Sequence, residues 1–124
     1  ALDEHCRAGT TVIVDCLTLW LNNLLNELYA PEAPLPGPAS DAPTTPLQAR
    51  LKRLLQAVEQ SDGRLLLVSN ETGFGVIPAN ALARRFCDVA GSLHQELARY
   101  CERVTLLVAG VPLPVKEPAE SDRG

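Results

Sequence analysis

The stretch that most limits what this chain can fold into is residues 65–97, LLLVSNETGFGVIPANALARRFCDVAGSLHQEL. Leu65-Leu66-Leu67-Val68 is an apolar run bounded by turn signals, which suits a buried strand. It breaks into Ser69-Asn70-Glu71-Thr72-Gly73-Phe74-Gly75, and after Pro78 the sequence becomes strongly helical. Strand, polar turn and helix in that order put the turn at the strand's carboxyl end, the rim where open α/β sheets hold ligands. Asn70 and Glu71 stand there, and Gly73 and Gly75 let the backbone pass close to a partner.

The same grammar recurs on both sides. Thr11-Val12-Ile13-Val14 is β-branched and reads as a buried strand, closed by Asp15. Leu17, Trp20, Leu21, Leu24, Leu25 and Leu28 then fall on one helical face, with Asn22, Asn23, Asn26 and Glu27 opposite. Thr45-Pro46-Leu47-Gln48 opens a further helix: Thr45 as N-cap, Pro46 in the first turn, Gln48 completing a capping box. Gly63 closes it. From Pro78 or Asn80 a long helix turns Leu82, Phe86, Val89, Ala90, Leu93, Leu97 and Cys101 inward, and Gly91 marks close packing on the sheet. Residues 104–110 form a third strand, and residues 1–8 the end of a helix stopped by Gly9. Apolar strands alternating with helices imply a mostly parallel sheet covered on both faces. One α/β domain is expected over residues 1–116, followed by a polar tail at 117–124. Residues 30–44 hold prolines 31, 34, 36, 38 and 43, which exclude regular structure and predict an exposed connection.

Composition narrows the partners. A net charge of −4 argues against binding along a nucleic-acid backbone. Lys52-Arg53 and Arg84-Arg85 read as solvated helix faces. Cys6, Cys16, Cys87 and Cys101 form no C-x-x-C and no zinc spacing with His5 or His94. With no signal peptide and no apolar run of spanning length, the expectation is a cytoplasmic protein without a membrane span. The sequence has no methionine, even at position 1, so a piece of a longer protein is expected. Lacking part of its sheet, such a piece should associate or unfold easily.

Two readings of Asp15 stand on pattern alone. A carboxylate closing an apolar strand is how nucleotide enzymes hold Mg²⁺ beside phosphates; equally, Asp15 could cap the helix that follows. Asn70 and Glu71 could orient a hydroxyl, a water or a metal, or could satisfy their own turn. His94 reads as a surface or core histidine rather than a catalyst. No G-x-x-x-x-G-K-[ST] phosphate loop is present in the chain.

Taken together, Val14-Asp15-Cys16-Leu17-Thr18 with Asn23-Leu24-Leu25, the segments 67–78 and 80–91, and Val108-Ala109-Gly110-Val111-Pro112-Leu113 resemble the bifunctional adenosylcobinamide kinase/adenosylcobinamide-phosphate guanylyltransferases. The resemblance runs from Val12 to Lys116. It implies part of a RecA-like P-loop NTPase fold, assembled as homo-oligomers, commonly trimers. It also implies phosphorylation of adenosylcobinamide by ATP or GTP, then transfer of GMP from GTP to give adenosylcobinamide-GDP. Carried onto matching positions, it implies Asp15 and Thr18 for nucleotide contact, Asp15 for Mg²⁺, and Asn70 and Glu71 as catalytic residues. The family's phosphate loop and its guanylylated histidine have no counterpart here, and neither His5 nor His94 lies in the matching context. The alternative is a non-catalytic α/β subunit serving assembly or ligand binding.

Overall fold

The computed structural model describes residues 1–29 and 45–119. The proline-rich connection at 30–44 and the end of the polar tail at 120–124 lie outside the described residues. In chain order the elements are α1 (Leu2–His5), β1 (Thr11–Asp15), α2 (Leu17–Leu28), α3 (Pro46–Glu59), β2 (Arg64–Val68), α4 (Ala81–Tyr100), β3 (Val104–Val108) and β4 (Val111–Lys116).

The local signals act as their chemistry requires. The Thr45 hydroxyl accepts from the Gln48 amide at 3.2 Å while Gln48 Oε1 accepts from the Thr45 amide at 3.0 Å, so two orphan donors are satisfied reciprocally. Asn80 Oδ1 accepts from the amides of Leu82 and Ala83, which fixes the start of α4. Gly63 lies beyond the end of α3, where a Cβ would collide with the carbonyl oxygens of Arg7 and Thr10. Gly9 sits in the turn after α1 with φ +82°, while Cys6 is the helix cap.

β1 and β2 pair in parallel, Thr11 opposite Arg64 through Asp15 opposite Val68. Helices α2, α3 and α4 pack on one another: Leu21, Leu24 and Leu25 of α2 meet Leu47 of α3 and Val89 and Ala90 of α4. A second cluster joins Leu17, Leu93 and Leu97 to Val14 and Leu67, so the helices cover the sheet face carrying those two residues. Leu21, 1% exposed, is the most enclosed large side chain.

Three expectations are corrected. The sheet is not covered on both faces among the described residues: Ile13, Leu66 and Val68 point away from the helices and are exposed. An alternating strand turns every second side chain outward, so helices gathered on one side leave these uncovered. Gly91 does not mark a close approach, since nothing lies within 4 Å of where its Cβ would stand. Residues 104–110 do not join the parallel sheet. The strand ends at Val108, and Ala109 (φ 51°) with Gly110 (φ 76°) reverses the chain in two residues. β4 therefore pairs antiparallel with β3. Two positive φ values match the turn whose twist suits a two-residue hairpin; a parallel return needs a dozen residues or more.

Prolines 112 and 114 hide this last strand in the sequence, yet its register accommodates them. Val108 and Val111 flank the turn as the hydrogen-bonded pair. Alternation then leaves Leu107 opposite Pro112, and Thr105 opposite Pro114, as non-hydrogen-bonded pairs. Neither proline owes β3 an N–H, and both deny one to any strand approaching from outside. Lys116 Nζ donates to the Ala98 carbonyl oxygen at 2.8 Å and ties the hairpin to α4. The same ammonium opposes, but does not cancel, the burial that pushes the Cys101 thiol up from its ordinary range.

Two outcomes follow from this hairpin. Ala109→Asn, a side chain that tolerates the left-handed region, should stabilise the chain by about 0.5–1 kcal/mol in chemical denaturation. Because burial disfavours its thiolate, Cys101 should react with an alkylating reagent at pH 8 more slowly in the folded than in the unfolded chain. Lys116→Gln should slow the folded reaction further.

Candidate functional site

Parallel register puts the carboxyl ends of β1 and β2 on the same rim, with Asp15 and Val68 as partners. Ser69, Asn70 and Glu71 leave β2 at that rim, and α2 begins there at Leu17. The two segments singled out in the sequence are therefore neighbours in space.

Asp15 is exposed at the end of β1. It does not cap α2. That position belongs to Cys16, whose Sγ accepts from the Leu19 amide at 3.5 Å. The capping alternative for Asp15 is thus removed; by strand alternation its side chain shares the exposed face of Ile13. Thr18, in the first turn of α2, reaches across to the residues that follow β2. Its Oγ1 accepts from the Asn70 amide at 2.7 Å and lies 3.2 Å from Ser69 Oγ. Glu71 folds back on its own turn, with Oε1 accepting from the Gly73 amide at 2.6 Å. Its other oxygen, Oε2, lies 4.0 Å from Nδ1 of His94.

Two members of this cluster escaped the sequence reading. Ser69 continues the alternation of Leu65 and Leu67, so its side chain turns toward the helices. There its hydroxyl meets His94 Nε2 at 2.6 Å. His94 belongs to the inward face of α4, four residues after Ala90 and three before Leu97, and its side chain is 23% exposed. That spacing was the available signal: one polar residue in an apolar stripe, requiring a polar partner on whatever the stripe covers.

Residues 72–80 continue the rim toward α4. Arg84 is exposed, as its solvated-face reading expects, and its guanidinium also donates to the carbonyl oxygens of Pro78 (3.0 Å) and Ala79 (2.6 Å), which holds the end of the loop. Phe74, Val76 and Ile77 present largely exposed apolar side chains beside the polar cluster.

No group of three or more His, Cys, Asp or Glu side chains that could hold a metal occurs among the described residues. No helix of the described residues is long and apolar enough to cross a membrane.

This is an α/β protein with a polar site where two parallel strands end, the carboxylate on one strand and the hydroxyl–amide–carboxylate run on the next. The family model described as cobinamide kinase / cobinamide phosphate guanyltransferase matches residues 1–115, and the chain belongs to that family. It is 45% identical over 115 residues to the bifunctional adenosylcobalamin biosynthesis protein CobP of Pseudomonas aeruginosa, covering 93% of this chain and 58% of that protein. It is 31% identical over 119 residues to the bifunctional adenosylcobalamin biosynthesis protein CobU of Escherichia coli, covering 93% and 65%. A protein of the same description from Salmonella typhimurium is 31% identical over 105 residues, covering 85% and 58%. The chain thus spans about three fifths of the length of the curated relatives it matches.

Thr18→Val, which keeps the shape but removes the acceptor, should raise the hydrogen-exchange rate of the Asn70 amide. Amides inside α3 should keep theirs.

Proposed function

We propose that this chain is the part of a bifunctional cobalamin-biosynthesis enzyme that carries the acidic rim of its nucleotide site. The complete protein would have a RecA-like P-loop fold. It would phosphorylate the hydroxyl of adenosylcobinamide with ATP or GTP. It would then transfer GMP from GTP to that phosphate, releasing pyrophosphate and forming adenosylcobinamide-GDP. The observation that carries this reading is the register: Asp15 and the 69–71 run end adjacent parallel strands on one rim.

Each residue has a distinct task in this reading. Asp15 would hold Mg²⁺, directly or through water, and a Mg²⁺ there supplies positive charge against the phosphates. Thr18 lies beside the nucleotide and fixes the Asn70 backbone through the bond that its hydroxyl accepts. Asn70 orients the substrate hydroxyl. Glu71 accepts its proton as the oxygen attacks phosphorus, a role within reach of a carboxylate held at a turn. The apolar side chains of Phe74, Val76 and Ile77 suit a substrate as large and partly apolar as a corrinoid. Association into a homo-oligomer, a trimer by family resemblance, is supported by the uncovered apolar face of Ile13, Leu66 and Val68.

The test is phosphoryl transfer from labelled GTP to adenosylcobinamide by the full-length protein. Asp15→Asn should lower kcat on the order of 100-fold or more, and Glu71→Gln on the order of 100-fold, both with unchanged circular dichroism. An Asp15→Asn protein that keeps its rate within about twofold would remove Asp15 from the site, because the loss of a stabilising charge costs far more than that.

A further inference from the structure

Six polar groups stand in one row at the rim, joined by hydrogen bonds except between His94 and Glu71, where Nδ1 and Oε2 are 4.0 Å apart. The Asn70 amide donates to Thr18 Oγ1. Ser69 Oγ lies 3.2 Å from Thr18 Oγ1, and either hydroxyl can donate in that pair. Ser69 Oγ lies 2.6 Å from His94 Nε2, and the row runs in one direction from the Asn70 amide when Thr18 donates to Ser69 and Ser69 donates to Nε2. An imidazole that accepts on Nε2 carries its proton on Nδ1, the nitrogen that faces Glu71 Oε2 at 4.0 Å. Glu71 Oε1 in turn accepts from the Gly73 amide. In that arrangement each hydroxyl gives once and receives once, and the row crosses from α2 through the end of β2 to α4 and back to the turn.

Serine, histidine and glutamate in such a row also occur where a serine attacks an acyl group. The geometry here opposes that use. Ser69 Oγ is occupied from both sides, by Thr18 and by His94. The nearby amides that could stabilise an oxyanion, those of Asn70 and Gly73, are already donated to Thr18 and Glu71. What the row does provide is rigidity. Ser69 and Thr18 share one bond, so a Ser69 hydroxyl without its histidine acceptor can turn its proton toward Thr18. The support under Asn70 and Glu71 then has two arrangements instead of one.

We propose that His94 is a positioning residue of the phosphoryl-transfer centre. Held as the Nδ1–H tautomer, it fixes the Ser69 hydroxyl through Nε2, and so sets Thr18 and the Asn70–Glu71 turn against the end of β1. This rests on the function proposed above. His94 touches neither nucleotide nor phosphate; it acts through Ser69 and Glu71.

The experiment compares His94→Phe, His94→Gln, His94→Asn, Ser69→Ala and the Ser69→Ala/His94→Phe double variant in the full-length protein. The readouts are GTP-dependent phosphorylation of adenosylcobinamide and the ¹⁵N spectrum of His94 at pH 8. His94→Phe should lower kcat about ten- to a hundredfold, the scale of a small misplacement of reacting groups, with KM for GTP within twofold. Glutamine, whose amide end can reach where Nε2 stands, should recover most of the rate; asparagine, which reaches only the Nδ1 position, should not. Ser69→Ala should match His94→Phe, and the double variant should be no worse than either, since the two act as one unit. The ¹⁵N spectrum should give the Nδ1–H tautomer in the wild type and lose that preference in Ser69→Ala. The inference is overturned by full activity of His94→Phe, by equal recovery with asparagine and glutamine, by losses that multiply in the double variant, or by an Nε2–H tautomer in the wild type. A wild-type protein with no phosphoryl transfer would instead overturn the proposed function on which the inference stands.

Discussion

Asp15 lies opposite Val68 because β1 and β2 run in the same direction with matched register. Reversal of either strand would send Asp15 and the Ser69–Asn70–Glu71 run to opposite ends of the sheet. A slip of one residue would exchange the inward and outward faces of β2 and aim Ser69 away from His94. Among the described residues the pairing is held from one side. Val14 and Leu67 pack under Leu17, Leu93 and Leu97, while α2, α3 and α4 close a leucine-rich core on one another. Each leucine buried there contributes about 1.5–3 kcal/mol. That apolar packing, rather than any single polar contact, keeps the two strand ends side by side.

The polar cluster lies where that core meets solvent. Ser69 and His94 are both partly buried, and a polar group deprived of water must find a partner or lose about 1–3 kcal/mol. They find each other at 2.6 Å. The result is a rim whose outer groups are presented from a fixed base: Asp15 on β1, and Asn70 and Glu71 on the turn. Asp15, Asn70 and Glu71 are exposed there, above the partly buried Ser69 and His94. Membership in the cobinamide kinase / cobinamide phosphate guanyltransferase family gives that rim a chemical context. The exposed apolar loop beside it gives the rim a second, non-polar side.

Much of the architecture was legible before any coordinates. The helical face of residues 17–28, the capping box at Thr45 and Gln48, the Asn80 start of α4 and the strands ending at Asp15 and Val68 are written in patterns a few residues long. So was the shared end of the sheet at which Asp15 and the turn after Val68 stand, because parallel strands put their carboxyl ends on one rim. The cover on both sheet faces was misread, because an unbroken apolar run does not say which of its side chains a helix will reach. The hairpin was missed for a local reason. Ala109 is not a residue that announces a positive φ, and prolines 112 and 114 are unusual in a strand, although their register permits them.

The sequence by itself determined the elements, their order and the carboxylates at the strand ends, since helix periodicity, caps and strand breaks are decided among residues close in the chain. Only the tertiary structure decided which sheet face the helices cover, where β3 finds its partner, and that Ser69 meets His94 across 25 positions of sequence. Those outcomes depend on how α4 is rotated and seated over β2, and that is set by the packing of Val89, Ala90, Leu93 and Leu97 against residues far away in the chain.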